Sequence, residues 1–239
     1  MHSFFSSDSE APTEEMVKRA VELGLPAICL TDHYDMDYST GEFQLDTPAY
    51  AAKIRELQEK YHDRIDIRFG VELGLQLHLK ERMEEYVNAW PFDYVIGSMH
   101  VIDGKDPYYE DAFPDWTAEE LYRAYFRATA ENIRFFHNFQ TLGHLDYVYA
   151  TAEKGKDYSY RAFADEIDTI LKELIQYDIA LEINTGGYKA GLGVPNPTPD
   201  VIRRYRELGG EKITFGADAH KPEHIAFHFA DAAAIAQEA

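Results

Sequence analysis

Histidine and carboxylate side chains recur in this chain at the points where short apolar runs end. Residues 27–30 and 94–98 are two such runs, and they lead to His33 and His100. The complete set is His33, Glu72, His100, His144, Asp218 and His220. Neutral imidazole and carboxylate suit zinc, manganese and iron. One histidine after a strand is more often structural, but four of them beside carboxylates predict a metal site.

Smaller groupings refine this prediction. Asp218 and His220 are two residues apart, which in an extended segment sends both side chains to one side and lets them serve two neighbouring metals. Glu72 has two oxygens that can bridge metals, or it forms a structural salt bridge. Asp146 either orients His144 or caps the following segment, and Asp32 is expected to be structural or to support a ligand. His2 and Asp8 offer a further pair before the first helix.

Alternating helical and strand patterns would position these residues. Thr13 is the predicted N-cap of the first helix, and Thr117 with Glu120 has the spacing of a capping box. Helices are predicted at about 13–24, 48–61, 78–89, 117–137, 160–177, 200–208 and 222–237. Strands are predicted at 27–31, 65–72, 94–98, 139–142, 180–184 and 212–216. This order indicates one α/β domain spanning 1–239 with a mostly parallel sheet, whose strands present the site at their C-terminal ends as barrel enzymes do.

Two long loops, 101–116 and 186–199, leave C-terminal strand ends, where we expect substrate to be held. A phosphate monoester needs a cationic clamp besides metals, and lysine supplies a point charge. The alternative is that the two loop lysines are only solvated. The predicted substrate contacts are Lys105, Tyr108, Tyr109, Asn184, Tyr188 and Lys189. Helix patterns hold the remaining histidines, which we expect to be surface or packing residues: His62, His78, His137, His224 and His228.

Composition excludes several classes of protein. The formal charge of −20 over 239 residues argues against nucleic acid as a partner. No apolar run approaches the roughly 20 residues that span a bilayer, and no secretory signal pattern opens the chain. The single Cys29 lies in an apolar run, where we expect a buried, inert thiol in a reducing cytoplasm.

The order of these motifs resembles the PHP (polymerase and histidinol phosphatase) family, most closely its histidinol-phosphatase branch. The matching stretches run the length of the chain: 2–8, Leu30-Thr-Asp-His33, Gly70-Val-Glu72, 97–108, Gly143-His-Leu-Asp-Tyr147, Glu182-Ile-Asn-Thr185 and Gly216-Ala-Asp-Ala-His220. The resemblance implies a distorted (β/α)7 TIM-like barrel, the PHP fold, with two or three divalent ions of zinc, manganese or iron.

The resemblance also implies which residues hold each ion. His2, Glu72 and Asp218 would bind the first, Glu72, His100 and His144 the second, and Asp8, His33 and His220 the third. It implies in-line attack on phosphorus by a metal-bridging hydroxide. Asp218, or a neighbouring histidine such as His33 or His220, would give a proton to the leaving alkoxide. The expected reaction converts histidinol phosphate to histidinol, in histidine biosynthesis.

The chain departs from the family pattern in three places. The family begins with a strand ending in His-x-His, whereas this sequence starts at Met1-His2, so we expect that strand to be missing or truncated. The branch is expected to carry an arginine that contacts phosphate near Ala150, and family members usually continue beyond the helix that ends at Ala239. Two alternatives therefore stay open: a phosphoesterase for another small metabolite or nucleotide, and a barrel that binds metal or metabolite without catalysis.

Overall fold

The strands of the protein run parallel to one another and form one curled sheet. The computed structural model describes residues 1–109, 111–149 and 158–239; Ala150 lies outside these ranges. The strands in the described residues are β1 Ala27–Leu30, β2 His33–Tyr34, β3 Asp66–Gly74, β4 Tyr94–Ser98, β5 Thr141–Leu142, β6 Ala180–Asn184 and β7 Ile213–Gly216. Their order is β1-β3-β4-β5-β6-β7, and β2 pairs with the end of β3.

The register of the sheet places the site residues side by side. His33 of β2 pairs with Glu72 of β3, and Glu72 pairs with Ile96 of β4. Gly97 of β4 pairs with Leu142 of β5, so the segments that follow these two strands start at one level. Because parallel strands end at one edge of a sheet, His100 and His144 emerge there together.

Helices fill the connections between the strands and cover the outside of the sheet. In the described residues they are α1 Thr13–Glu22, α2 Thr47–Tyr61, α3 Lys80–Ala89, α4 Ala118–Phe135, α5 Ala164–Gln176, α6 Gly186–Lys189, α7 Pro199–Glu207 and α8 Phe229–Glu238. α1 precedes the first strand, and the later helices lie between successive strands or after the last one, as the crossovers of a parallel sheet require. The predicted capping box is present, since the Thr117 side chain accepts from the Glu120 amide and Glu120 accepts from the Thr117 amide.

Three local predictions were wrong. Thr13 is the first helical residue and not the N-cap, because its hydroxyl donates to Ser3 Oγ. The predicted loop 186–199 contains the short helix α6. The predicted last helix is broken, since Ala226 and His228 have positive φ angles of 56° and 53°, a conformation that interrupts a helix.

The core lies between the sheet and the helices that surround it. Tyr122, Tyr125 and Phe126 of α4 are fully buried, and Ile170 and Leu174 of α5 pack in the same cluster. α4 and α5 therefore form a rigid backing for β4, β5 and β6. This backing fixes the strand ends from which the polar residues project.

The sheet is open between its first and last strands. In the described part of the chain β1 and β7 each pair on one side only, and a cavity of about 200 Å³ lies between them. At the top of this gap Thr31 donates to the Met1 carbonyl and the His2 amide donates to the Ala219 carbonyl, each at 2.9 Å. The predicted α/β TIM-like architecture is thus confirmed in the form of a curled half-barrel. Of the helices among the described residues, none has the length and apolar character needed to cross a membrane.

Candidate metal centre

Eight imidazole and carboxylate side chains converge at the C-terminal ends of the strands. They come from the N-terminal segment, from β2 and β3, and from the loops that follow β4, β5 and β7. All eight were predicted as metal ligands: His2, Asp8, His33, Glu72, His100, His144, Asp218 and His220. The structure therefore brings together residues that are up to 218 positions apart.

The first predicted group lies around the buried side chain of His2. His2 Nε2 is 3.4 Å from Glu72 Oε2 and 3.2 Å from Asp218 Oδ1. His2 is only 1% exposed, so both carboxylates meet it away from bulk solvent. His2, Glu72 and Asp218 therefore form one compact donor set.

The second group uses the other oxygen of Glu72. Glu72 Oε1 lies 3.3 Å from His100 Nε2 and 3.0 Å from His144 Nε2. The two imidazole nitrogens are 3.4 Å apart. Glu72 thus faces two donor sets, one with each carboxylate oxygen, which is the arrangement of a bridging ligand.

The third group lies nearer the solvent. Asp8 Oδ2 is 2.9 Å from His220 Nε2 and 3.6 Å from His33 Nε2. The His2 ring stacks against both the His33 ring and the His220 ring, at centroid distances of 4.1 and 4.3 Å. This stacking holds the third group against the first.

The spacing and chemistry of these donors fit divalent cations. Two ligand atoms on one tetrahedral zinc ion lie about 3.4 Å apart, because each bond is about 2.0–2.1 Å long. The contacts within the three groups are 2.9–3.6 Å. Two further sets of donors are equally compact, since the ligand atoms within each set lie within 4.8 Å of one another. One set is His2, His33 and His220, and the other is His33, Glu72 and His100. Nitrogen and carboxylate oxygen are the ligands that zinc, manganese and iron accept.

Supporting contacts fix the nitrogen that each ring presents. His100 Nδ1 is 2.9 Å from Asp35 Oδ1, and His220 Nδ1 is 3.0 Å from the Asp218 carbonyl. A histidine that ligates a metal commonly donates its other N–H to a carboxylate or a carbonyl in this way. In both rings Nε2 is therefore left to face the centre.

The electrostatics of the cluster keep its carboxylates ionised. Burial alone would raise the pKa of Asp218, but the hydrogen bond from His2 and the charge of His220 hold it well below its usual range. Burial would likewise raise the pKa of Asp8, but the hydrogen bond from His220 lowers it to about 2. Burial would lower the pKa of His2, yet hydrogen bonds to Asp218 and Glu72 raise it to about 9. Protons on the imidazoles therefore compete with metal for this site.

Two local expectations about the ligands need correction. Glu72 lies inside β3, which continues to Gly74, and not at the strand end. The segment from Asp218 to His220 is not extended, because Asp218 has a φ of 48°. This left-handed conformation turns the chain so that His220 Nδ1 contacts both the carbonyl and Oδ1 of Asp218.

A cavity of about 370 Å³ opens onto the centre, and two of the predicted substrate contacts line it. Tyr108 and Tyr109 stand in its wall. Lys189 lies nearby, where its ammonium group donates to the Asp218 carbonyl and burial lowers its pKa. Lys105 is exposed and lies 5.7 Å from the ring centroid of Phe113, outside the wall of the cavity.

None of the described residues that line this cavity comes from the loop 186–199, and the substrate contacts predicted at Asn184, Tyr188 and Lys189 stay predictions. Tyr188 stacks on His228 at 4.4 Å, with an angle of 11° between the rings. Asn184 is buried beside Glu182 and accepts from the Gly186 amide. Both side chains serve the packing of the loop and do not line the cavity.

Of the residues that the sequence left undecided, two are structural. Asp32 accepts hydrogen bonds from Ser3 and Ser6 and so ties the N-terminal segment to β1. Asp146 accepts from the Asn196 side chain and the Thr198 amide, which anchors the segment before α7. The five other histidines lie outside the cluster, as expected.

The sequence analysis missed several residues that line the cavity. Asp35 and Asp106 are carboxylates in its wall, and Tyr38, Phe43 and Tyr147 supply its aromatic surface. Asp35 was detectable in principle, since it repeats the two-residue spacing from a histidine that Asp218 and His220 show. Asp106 lies in the loop 101–116, within the stretch 97–108 that resembles the PHP family, but no spacing singled it out as a site residue.

Known proteins resemble this chain over nearly its whole length. The family model described as PHP domain matches residues 1–186. The histidinol-phosphatase of Lactococcus lactis is 33% identical over 239 residues, which cover 95% of this chain and 86% of the relative. The probable histidinol-phosphatase of Clostridium acetobutylicum is 31% identical, with 99% and 91% of the two chains covered.

One solved structure is closely similar in fold. It is the histidinol phosphate phosphatase of Lactococcus lactis, complexed with zinc, L-histidinol and phosphate. The TM-score is 0.89 at 30% identity, and the match covers 100% of this chain and 91% of the other.

Proposed function

Because this chain belongs to the PHP domain family, we propose that it is a metal-dependent histidinol-phosphatase that hydrolyses histidinol phosphate to histidinol and phosphate. The observation that carries this proposal is the convergence of eight imidazoles and carboxylates at one edge of the sheet, where six of them line one cavity. Relatives that match along nearly the full chain are histidinol-phosphatases, and the structurally similar protein binds zinc, L-histidinol and phosphate.

The three donor groups would hold two or three ions of zinc, manganese or iron. His2, Glu72 and Asp218 form the first group, and Glu72 with His100 and His144 forms the second. The third is Asp8, His33 and His220. Bound divalent ions would neutralise negative charge on the phosphoryl oxygens and lower the pKa of a water molecule.

The side chains at the cavity would handle the proton of the reaction. Hydrolysis takes one proton from the attacking water and gives one to the leaving alkoxide. Asp218 is a carboxylate at neutral pH because its pKa is low, so it can accept the first proton and return it to the alkoxide. His220 Nδ1 lies 3.6 Å from Asp218 Oδ1, and after the hydrogen bond from His2 its charge helps to keep that carboxyl ionised. His33 stays neutral, since burial and the charge of His2 lower its pKa to about 4.

A phosphate-release screen with added manganese, zinc or iron tests the proposal. Histidinol phosphate is compared with other small phosphomonoesters and with phosphodiesters, and metal content is measured by elemental analysis. We expect two or three metals per chain and a kcat/KM for histidinol phosphate about tenfold or more above that of every other ester. If another ester is preferred, histidinol phosphate is rejected as the substrate. If the metal-loaded protein releases phosphate from none of the esters, the proposed phosphatase function is rejected.

A further inference from the structure

The hydroxyl of Ser6 lies between ligands that belong to two different donor groups. Ser6 is 1% exposed, and its Oγ is 2.9 Å from the backbone nitrogen of His33 and 2.9 Å from Asp32 Oδ1. The same oxygen is 3.4 Å from His2 Nδ1. His2 belongs to the first donor group and His33 to the third. One buried hydroxyl therefore contacts both groups.

The neighbours of Ser6 fix the direction of each hydrogen bond that its hydroxyl makes. A serine hydroxyl has one proton to donate and two lone pairs that accept. The backbone N–H of His33 can only donate, so it takes one lone pair. The carboxylate of Asp32 accepts, so it takes the proton. One lone pair of Ser6 is therefore left for His2 Nδ1.

Asp32 keeps the proton of Ser6 because it is a buried acceptor with a fixed orientation. Asp32 is 0% exposed, and it also accepts from the Ser3 amide at 2.6 Å and from Ser3 Oγ at 3.0 Å. A hydrogen bond to a carboxylate is roughly twice as strong as one between neutral groups. Rotation of the Ser6 proton toward His2 would exchange the stronger hydrogen bond for a weaker one.

His2 therefore meets Ser6 with a proton on Nδ1. The contact between them is long and contributes little energy by itself, but an unprotonated Nδ1 would place its lone pair against that of Ser6. A neutral imidazole carries one proton, so its other nitrogen has the lone pair. With the proton on Nδ1, the lone pair of His2 Nε2 faces Glu72 Oε2 and Asp218 Oδ1.

We propose that Ser6 is a positioning residue of the metal centre. Its hydroxyl, oriented by Asp32, keeps the proton of His2 on Nδ1 and so reserves Nε2 for a divalent cation in the first donor group. This inference rests on the proposed function, because it takes the donor groups to bind metal. Histidine ligands of metals commonly donate their second N–H to an acceptor, and such acceptors typically contribute about 10–100-fold to metal affinity. The same hydroxyl accepts from the His33 amide and so fixes the start of β2.

The test is an NMR titration of the protein with zinc, in which the histidine rings carry an NMR-active nitrogen isotope. The spectra show which ring nitrogen carries a proton and which one binds zinc, and a chelator sets the concentration of free zinc. The variants are Ser6→Ala, which removes the hydroxyl, and Ser6→Cys, which fills the same space with a weak acceptor. The matched control is Ser3→Ala, because the buried Ser3 hydroxyl also donates to Asp32 but accepts from Thr13 and not from His2.

In the wild type we expect the His2 signals to show a proton on Nδ1 and zinc at Nε2. In Ser6→Ala and Ser6→Cys the zinc-bound signal of His2 should require a free zinc concentration about 10–100 times higher. The zinc concentration that saturates His100 should change by less than about threefold, because the acceptor at His100 Nδ1 is Asp35 and not Ser6. Ser3→Ala should give the wild-type result for both rings.

A wild-type His2 ring that carries its proton on Nε2 overturns the proposal. So does a zinc affinity of His2 that is equal in the wild type and in both Ser6 variants. An equal loss in Ser3→Ala and Ser6→Ala also overturns it, because both variants lose a contact with Asp32. None of these measurements needs substrate. If the zinc-loaded wild type hydrolyses no phosphate ester, the proposed function is rejected, and the His2 signals still decide the role of Ser6.

Discussion

Asp35 Oδ1 lies 2.9 Å from His100 Nδ1, although the two residues are 65 positions apart in the chain. Asp35 follows β2 and His100 follows β4, so the contact crosses the end of β3 between them. It leaves Nε2 of His100 directed toward Glu72 and His144. The second donor group therefore depends on a residue that does not belong to it.

Replacement of Asp35 by asparagine should weaken metal binding. Outer carboxylates of this kind typically contribute 10–100-fold to metal affinity, so we expect a loss of about that size for Asp35→Asn. Competition with a chelator, followed by elemental analysis, measures it without substrate. Asp37→Asn is the control, because Asp37 is exposed and pairs with Arg82. Equal affinity of Asp35→Asn and the wild type would refute the supporting role.

Replacement of His100 should abolish turnover and leave the fold intact. His100→Ala removes one imidazole of the second donor group, so phosphate release should fall to a few per cent or less of the wild-type rate. Circular dichroism should be unchanged. His137→Ala serves as the control, since His137 is exposed and stacks on Tyr177 away from the cavity. Substantial residual activity in His100→Ala would count against its role.

Introduction of an arginine at position 150 should lower KM for histidinol phosphate. Ala150 stands where the resemblance predicts a phosphate contact, and an arginine there would pair with the phosphoryl oxygens. Steady-state kinetics of Ala150→Arg against Ala150→Gln separates the effect of charge from that of size. An unchanged KM in the arginine variant rejects the contact.

The thiol of Cys29 should react slowly in the native state. Burial raises its pKa to about 12, whereas an unfolded cysteine has a pKa of about 8.5. Native protein should therefore be alkylated on the order of a thousandfold more slowly at pH 8 than protein unfolded in guanidinium. The folded state holds the proton more tightly, so its stabilising contribution is complete below about pH 8.5 and is lost as pH rises toward 12. Similar native and unfolded rates would contradict this. Cys29 is half-buried and not fully buried as predicted.

The ion pair between Arg204 and Asp168 should make stability depend on pH. Arg204 of α7 forms two-pronged hydrogen bonds to Asp168 of α5 at 2.7–3.1 Å. These bonds lower the pKa of Asp168 against the effect of burial. The contribution is therefore present above about pH 4, the ordinary value, and is lost as pH falls through the lowered pKa. Arg204→Ala should melt earlier than Arg203→Ala at pH 7, and the gap should close in acid. A gap that persists at pH 2 would argue for lost packing instead.

Local sequence patterns predicted the elements, and they failed where a distant contact decided the conformation. The Thr117–Glu120 box acts within one helical turn, so the sequence specified it completely. Thr13 has the same residue type, but its hydroxyl is taken by Ser3, which the fold brings beside it. Asp218 adopts a left-handed conformation beside its tertiary contacts with His2 and Lys189, although the pattern favoured an extended segment.

The sequence by itself predicted that the histidines and carboxylates in and after the strands would meet, because parallel strands end at one edge of the sheet. His2 and Asp8 precede every strand, and only the resemblance to the PHP family made them predicted ligands. Only the tertiary structure decided how these donors divide into groups, since Glu72 shares its two oxygens across strands that are far apart in the chain. The tertiary structure also revealed Asp35 and Asp106. Both line a cavity whose wall is built by separate loops. The spacing of residues within one loop does not encode the contacts of that loop with another.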